Sequence, residues 1–114
     1  MKVLICGDRN WNDAFKIELR LKKLPPGTVI LEGECRGADI IARDAAIHLG
    51  FEVRKFPADW DKHGRAAGPI RNREMLAELP DLVMAFHSNI EKSKGTADTV
   101  REAKKRGILV EVIQ

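Results

Sequence analysis

The feature that most constrains the fold is the alternation of short apolar runs with longer amphipathic runs along the 114 residues. Continuous apolar runs of this kind are typical of strands buried on both faces, as in a parallel sheet. A chain of this length fits one domain with its own core. The sequence therefore predicts five strands, over residues 3–6, 28–31, 53–56, 82–86 and 108–113.

Between these runs, apolar residues recur at steps of three and four, the period of an amphipathic helix. Stop signals follow the first, second and fourth of these segments, at Pro25-Pro26-Gly27, Gly50 and Gly107. The third follows Gly68-Pro69, where proline suits a first helical turn. The sequence therefore predicts about four helices, over residues 14–24, 38–49, 70–79 and 97–104.

Strand–helix alternation predicts right-handed crossovers and a single α/β domain over residues 1–114, with a Rossmann-like, doubly wound and mostly parallel sheet. We favour the strand order 3-2-1-4-5 over the flavodoxin-like order. Residues 57–68 are the one long connection, and a loop of that length is typically functional or mobile.

The charge pattern favours a small-molecule partner over a nucleic acid. The chain has 20 Lys and Arg residues and 17 Asp and Glu residues, which gives a net charge of +3. Positive and negative residues are interleaved along the sequence. Without a block of five like charges, a solvated mixed surface is the better interpretation. Nucleic-acid binding is possible but not favoured.

Cysteine, histidine and hydropathy patterns point to a cytoplasmic protein without metal or cofactor. Cys6 and Cys35 form neither a redox motif nor a disulfide framework, and the three histidines lack ligand spacing. No stretch approaches the ~20 apolar residues of a membrane span, and the N-terminal apolar run is too short for a signal peptide.

In open α/β sheets, ligands bind outside the carboxyl ends of the strands, so the segments that follow the strands are the candidate site. After the first strand, Gly7 suits a tight turn, and Asp8 and Arg9 place opposite charges at the crevice. A surface ion pair is the alternative for these two charges. Asn10 or Asn12 is the expected cap of the following helix.

The segment after the second strand resembles an anion site at a helix start. Gly37 and Ala38 would let backbone N–H groups approach an anion, which the helix dipole also favours. Arg36 would add a bidentate phosphate contact. Asp39 would otherwise be a capping or first-turn residue. The GxGxxG fingerprint is absent, which disfavours ordinary NAD binding.

After the third strand, an aromatic ring, carboxylates and arginines lie beside a helix start. Trp60 would either stack on a base or close the edge of the core. Asp59 is one of the two carboxylates of this segment. Arg71 in the first turn of the helix would oppose its dipole, so it needs an anionic partner. His63 is better interpreted as a solvated loop residue.

Lys94, Gly95 and Thr96 lead from the fourth strand into the last helix. Their chemistry suits a phosphate cradle, although the GxxxxGK[ST] spacing of a P-loop is absent. The equally weighted alternative is a helix capped by Thr96.

Four segments together resemble the YspA-like, cpYpsA-related members of the SLOG superfamily, in order along nearly the whole chain. They are GDRNW, EGECRGAD, PADWDKHGRAAGPIRNREML and SKGTADTV. The superfamily also contains the LOG-type phosphoribohydrolases and the DNA-processing protein DprA. The resemblance implies a Rossmann-like fold, a homo-oligomer and a nucleotide-derived ligand. The site that it implies comprises Gly7, Asp8, Arg9, Gly33, Gly37, Ala38, Asp39, Arg71, Asn72, Gly95 and Thr96.

The chain departs from the LOG-type PGGxGTxxE motif. Gly95 and Thr96 match its GT, but Thr99 stands at the position of the glutamate. Asp98 is one residue early, about 100° around a helix. A LOG-type hydrolysis mechanism therefore lacks its carboxylate at that position.

Three functions remain open from the sequence. The first is a sensor or binder of a nucleotide-like ligand, with Arg36, Arg71, Lys94 and a stacking surface at Trp11 or Trp60. The second is an enzyme that cleaves the N-glycosidic bond of a nucleotide. Its candidate catalytic residues are Asp8, Asp59, Asp98 and Arg71, because such chemistry needs a carboxylate near the sugar and a phosphate anchor. The third is a nucleic-acid-binding module similar to DprA.

Overall fold

Five parallel strands form the centre of the fold, which is described here from a computed structural model of residues 1–114. The strands are β1 (Lys2–Gly7), β2 (Val29–Glu32), β3 (Glu52–Lys55), β4 (Leu82–Phe86) and β5 (Leu109–Ile113). Their order in the sheet is β3-β2-β1-β4-β5. The predicted Rossmann-like fold and strand order 3-2-1-4-5 are therefore confirmed.

Four long helices connect the strands, as predicted: α1 (Ala14–Leu21), α2 (Ala38–His48), α4 (Ala67–Ala77) and α5 (Gly95–Lys105). The predicted long loop over residues 57–68 instead contains a short helix, α3 (Trp60–His63), and a 3-10 turn at Gly64–Ala66. Helix α4 begins at Ala67 and not at Ile70, which places Arg71 in its second turn. The prediction of a first-turn arginine is therefore wrong.

The core has two layers because side chains alternate between the faces of the sheet. On one face, Val3 and Ile5 of β1 pack with α1 and α2, where Ile17, Leu21 and Ala42 are buried. On the other, Leu4 packs with α4 and α5, where Met75, Leu76, Val100 and Ala103 are buried. Helices on both faces explain why the central strands are continuously apolar.

Two helix starts differ from the predictions in the residue that caps them. The carboxylate of Asp13, rather than Asn10 or Asn12, accepts a 3.0 Å hydrogen bond from the Lys16 N–H at the start of α1. At the start of α5, the hydroxyl of Ser93 accepts from the N–H groups of Thr96 (2.9 Å) and Ala97 (3.2 Å). Thr96 is therefore not the cap.

No helix of the protein combines the length and the apolar character needed to cross a bilayer.

Candidate functional site

A cleft of about 480 Å³ opens at the carboxyl ends of β1, β2 and β4. Its position follows from the topology: the chain leaves β1 towards β2 on one side and later returns to β4 on the other, which leaves a crevice at the end of β1. Only three of its 18 lining residues are hydrophobic. The cleft is therefore a polar site.

Ten residues that the sequence singled out line this cleft. They come from four segments that are distant in sequence, and they are Gly7, Asp8, Arg9, Arg36, Asp39, Arg71, Asn72, Lys94, Gly95 and Thr96. Cys6, Asn10, Cys35, Met75, His87, Lys92, Ser93 and Thr99 complete the lining.

The two tryptophans lie outside the cleft lining. Trp11 packs edge-on against Phe86, with ring centroids 5.6 Å apart, and its indole N–H donates to the Asp13 carbonyl. Trp60 is exposed on α3. Asp59 caps α3 through the Lys62 N–H, at 3.1 Å. The structure thus does not bring these three residues to the site proposed from the sequence.

Gly7 and Gly37 allow close contacts between elements at the base of the cleft. A Cβ on Gly7 would collide with the Phe86 carbonyl and the Ala38 side chain, and Gly37, at φ +81°, lies against the Asp8 carbonyl. The N–H of Ala38 donates to the same carbonyl at 3.1 Å. It is therefore not free to bind an anion, contrary to the expectation for this helix start.

Arg71 is the central charged group of the cleft. Its side chain passes over Gly33, where Nη1 donates to the Gly33 carbonyl at 2.6 Å, and Nε donates to Asn72 Oδ1 at 2.9 Å. Arg71 is only 8% exposed, yet its guanidinium forms no hydrogen bond or ion pair with a carboxylate. Nη2 donates no hydrogen bond within the chain. The carboxylate of Asp39 interacts with this charge only at longer range, so Nη2 keeps its donors for an anion in the cleft.

Asp39 stabilises the turn beside Arg71. Its carboxylate accepts from the N–H groups of Gly33 (3.2 Å) and Cys35 (3.4 Å). Burial raises the pKa of Asp39 to about 6, although these N–H groups and the charge of Arg71 oppose that shift. Its carboxylate is therefore committed to the β2–α2 turn and does not cap α2.

The segment before α5 forms the opposite wall of the cleft. Ser93 caps the helix, and the N–H groups of Lys94 and Gly95 have no acceptor within the chain. Free N–H groups and the positive end of the helix dipole both favour an anion here. Lys92 and Lys94 add two cationic side chains to the lining.

Asp8 and His87 face each other between the two walls. Asp8 Oδ1 accepts from the Asn10 N–H at 2.9 Å, and Asp8 Oδ2 lies 4.0 Å from His87 Nε2. His87 Nδ1 accepts from the Asn89 N–H at 3.0 Å, so the neutral ring carries its proton on Nε2. Sequence reasoning missed His87, although its position directly after β4 was the signal.

Asp98, another carboxylate considered from the sequence, is paired outside the cleft lining. It accepts from Arg73 and Arg101, each at 3.3 Å. Thr99 does line the cleft, and its hydroxyl donates to the Gly95 carbonyl at 3.2 Å. No three His, Cys, Asp or Glu side chains come together in a metal-binding arrangement.

Comparison with known proteins identifies the family. The chain is 39% identical to the "Gene 61 protein" of Mycobacterium phage D29, over 96% of this chain and 93% of that protein. The family model described as "YspA, cpYpsA-related SLOG family" matches residues 1–63. The chain belongs to this SLOG family. The matched residues include the β1 and β2 walls of the cleft.

The SLOG chain also shares its fold with a solved structure, that of DNA processing protein A (DprA) from Streptococcus pneumoniae. The two superpose with a TM-score of 0.82 over 99% of this chain, at 21% sequence identity. The chain spans 50% of the DprA chain. This likeness shows the fold alone.

Proposed function

We propose that the SLOG chain binds a nucleotide or nucleotide-derived, phosphate-bearing ligand in the cleft at the carboxyl ends of β1, β2 and β4. The observation that carries this proposal is Arg71, a buried guanidinium that lines the cleft without a carboxylate partner. A phosphate is the natural partner of such a group, because guanidinium–phosphate hydrogen bonds are charge-assisted and often bidentate.

The opposite wall supports the same ligand chemistry. The unpaired N–H groups of Lys94 and Gly95 lie at the start of an 11-residue helix, and a Cβ on Gly95 would meet nothing within 4 Å. An anion can therefore approach the backbone closely, as phosphates do at helix N-termini.

The size and place of the cleft favour a nucleotide over a lone phosphate ion. Its volume of about 480 Å³ falls within the roughly 300–1,000 Å³ of small-molecule sites. It lies where the strand order reverses, which is the usual place for nucleotides in doubly wound sheets. Membership of the SLOG family is consistent with this ligand class.

Calorimetric titration of ADP into wild type and Arg71→Gln tests the proposal. We expect the variant to bind at least tenfold more weakly, since a charge-assisted contact contributes about 1.5–3 kcal/mol. Arg101→Gln is the matched control, because Arg101 is exposed and its guanidinium contacts Asp98 outside the cleft lining. Equal affinity in a folded Arg71→Gln protein, checked by circular dichroism, would place the ligand elsewhere.

A second candidate function is hydrolysis of the N-glycosidic bond of a bound nucleotide, which the Asp8–His87 pair favours. In this reaction water attacks C1′ of the ribose while the bond to the base breaks, with its electron pair passing to the base nitrogen. The carboxylate of Asp8 would take the proton of the attacking water, and His87 Nε2–H, 4.0 Å away, would orient that carboxylate. The departing base would take a proton from solvent. The products are the free base and ribose phosphate.

An assay that measures the release of free base from AMP or ADP by chromatography distinguishes this function from binding alone. Asp8→Asn should lower turnover by at least 100-fold and leave binding within a few-fold. His48→Gln is the control, because His48 lies at the end of α2 and does not line the cleft. Binding without base release by the wild type would assign the chain as a binder.

A further inference from the structure

We infer that the ligand of this cleft carries at least two phosphate groups, as a nucleoside diphosphate or a bisphosphate does. This inference rests on the proposed function and names the ligand class more narrowly. Two independent observations carry it: the charge of the lining, and the placement of four of its five cations on either side of β1, with Arg9 following β1 itself.

The lining carries more positive charge than one phosphate can neutralise. Five arginine and lysine side chains line the cleft against two carboxylates, those of Asp8 and Asp39. Neither carboxylate forms an ion pair with an arginine or lysine, although the charges of Arg71 and Arg9 lower the pKa of Asp39 against the larger effect of burial. A phosphate monoester carries about 1.5–2 negative charges at pH 7, which leaves cationic charge uncompensated.

The first cationic wall lies at the end of β2. Arg71 is fixed there by its hydrogen bond to the Gly33 carbonyl, and Arg36 lies in the same β2–α2 turn. Nη2 of Arg71 is the donor without an acceptor in the chain, and the side chain is more than nine-tenths buried. This wall would hold one phosphate.

The second cationic wall follows β4. It comprises Lys92, Lys94 and the free N–H groups at the start of α5. β1 stands between β2 and β4 in the sheet. With neighbouring strands about 4.8 Å apart, the two strand ends are about 10 Å apart. A single phosphate group would contact either the Arg71 guanidinium or the start of α5. A ligand with two phosphate groups would contact both walls.

The test compares the affinities of AMP, ADP and adenosine 3′,5′-bisphosphate by calorimetry at one salt concentration. We expect ADP, the bisphosphate, or both to bind at least tenfold more tightly than AMP. A preference for ADP would indicate adjacent phosphates, and a preference for the bisphosphate would indicate phosphates on opposite sides of the sugar.

Variants on the second wall test its role. In the double variant Lys92→Ala/Lys94→Ala, ADP or the bisphosphate should bind less than threefold more tightly than AMP. Lys104→Ala/Lys105→Ala, at the far end of α5, is the control and should keep the preference. A preference that survives the loss of Lys92 and Lys94 would overturn the two-wall arrangement.

Two outcomes separate this inference from the proposed function. If AMP binds as tightly as ADP and the bisphosphate, the inference is wrong, while nucleotide binding stands. If the folded protein binds none of the three, the proposed function is wrong for this ligand class, and the inference fails with it.

Discussion

The guanidinium of Arg71 and the carbonyl oxygen of Gly33 are joined by a 2.6 Å hydrogen bond that connects helix α4 to the end of β2. Residues 38 positions apart thus form one wall of the cleft. The absence of a side chain on Gly33 is what allows the contact, because a Cβ there would lie 2.5 Å from Nη1. The same arginine is therefore both a structural link and the main anion-binding group that we propose.

Gly7 should not tolerate alanine, whereas Gly95 should. A Cβ at position 7 would collide with the Phe86 backbone and the Ala38 side chain, and overpacking of this kind typically costs about 1–3 kcal/mol. Gly95→Ala is the matched control, because its Cβ meets nothing and alanine favours a helix by up to about 1 kcal/mol. Urea unfolding measures both, and a Gly7→Ala protein as stable as wild type would contradict the close contact.

Ser93→Ala should destabilise the protein by about 1 kcal/mol, the usual cost of losing a helix cap. Its hydroxyl accepts from two N–H groups of the first turn of α5. Ser88→Ala is the control, because Ser88 is exposed after β4 and its side chain makes no hydrogen bond. If the two variants unfold at the same urea concentration, the cap does not stabilise α5.

Glu32, at the end of β2, is a buried acid whose protonation state should affect stability. Its Oε2 accepts from the Glu34 N–H at 2.8 Å, and its Oε1 is the one fully buried side-chain polar atom without a partner. Burial, with the neighbouring Glu34 carboxyl group, raises the pKa of Glu32 to about 8. Glu34 itself pairs with Arg43 at 2.9 Å and keeps a lowered pKa.

The raised pKa of Glu32 predicts that stability falls as pH rises. The folded state keeps the proton up to about pH 8, whereas the unfolded chain releases it near 4.5, so folding binds a proton between these values. Glu32→Gln should remove a decrease of more than about 1 kcal/mol between pH 5 and 9, since one pKa unit corresponds to 1.36 kcal/mol. Glu91→Gln is the control, because Glu91 is exposed. If the free energy of unfolding of wild type, Glu32→Gln and Glu91→Gln changed with pH in the same way, the raised pKa of Glu32 would be contradicted.

The sheet was predictable because its central strands are buried on both faces and leave long apolar runs in the sequence. The edges were harder to place. β3, an edge strand, lies at residues 52–55 rather than 53–56, and three of its four residues are exposed. Helix α3 was missed because four polar and aromatic residues carry no helical period, although Asp59 caps it.

Much of the cleft could be predicted from the rule that ligands bind at strand ends. That rule placed Asp8, Arg36 and Lys94 in one predicted site, although they are distant in sequence. The reason given for Arg71 was wrong, since α4 begins a turn earlier than predicted, yet its place at the cleft follows from the contact with Gly33. Trp60 and Asp59 were misplaced because their segment folds into α3 rather than over the cleft. Pairings such as Asp8 with His87 depend on which strands are neighbours, and spacing in the sequence does not encode them.

The free energy of unfolding in urea, measured with and without ADP, tests most directly whether the cleft binds a phosphate-bearing nucleotide. A ligand at 100 times its dissociation constant stabilises the folded state by about 2.7 kcal/mol. We predict a gain of this size for wild type and a gain below about 1.5 kcal/mol for Arg71→Gln at the same ADP concentration, because tenfold weaker binding lowers the gain to about 1.4 kcal/mol. An unchanged wild-type unfolding curve at millimolar ADP, or an equal gain in both proteins, would contradict the account.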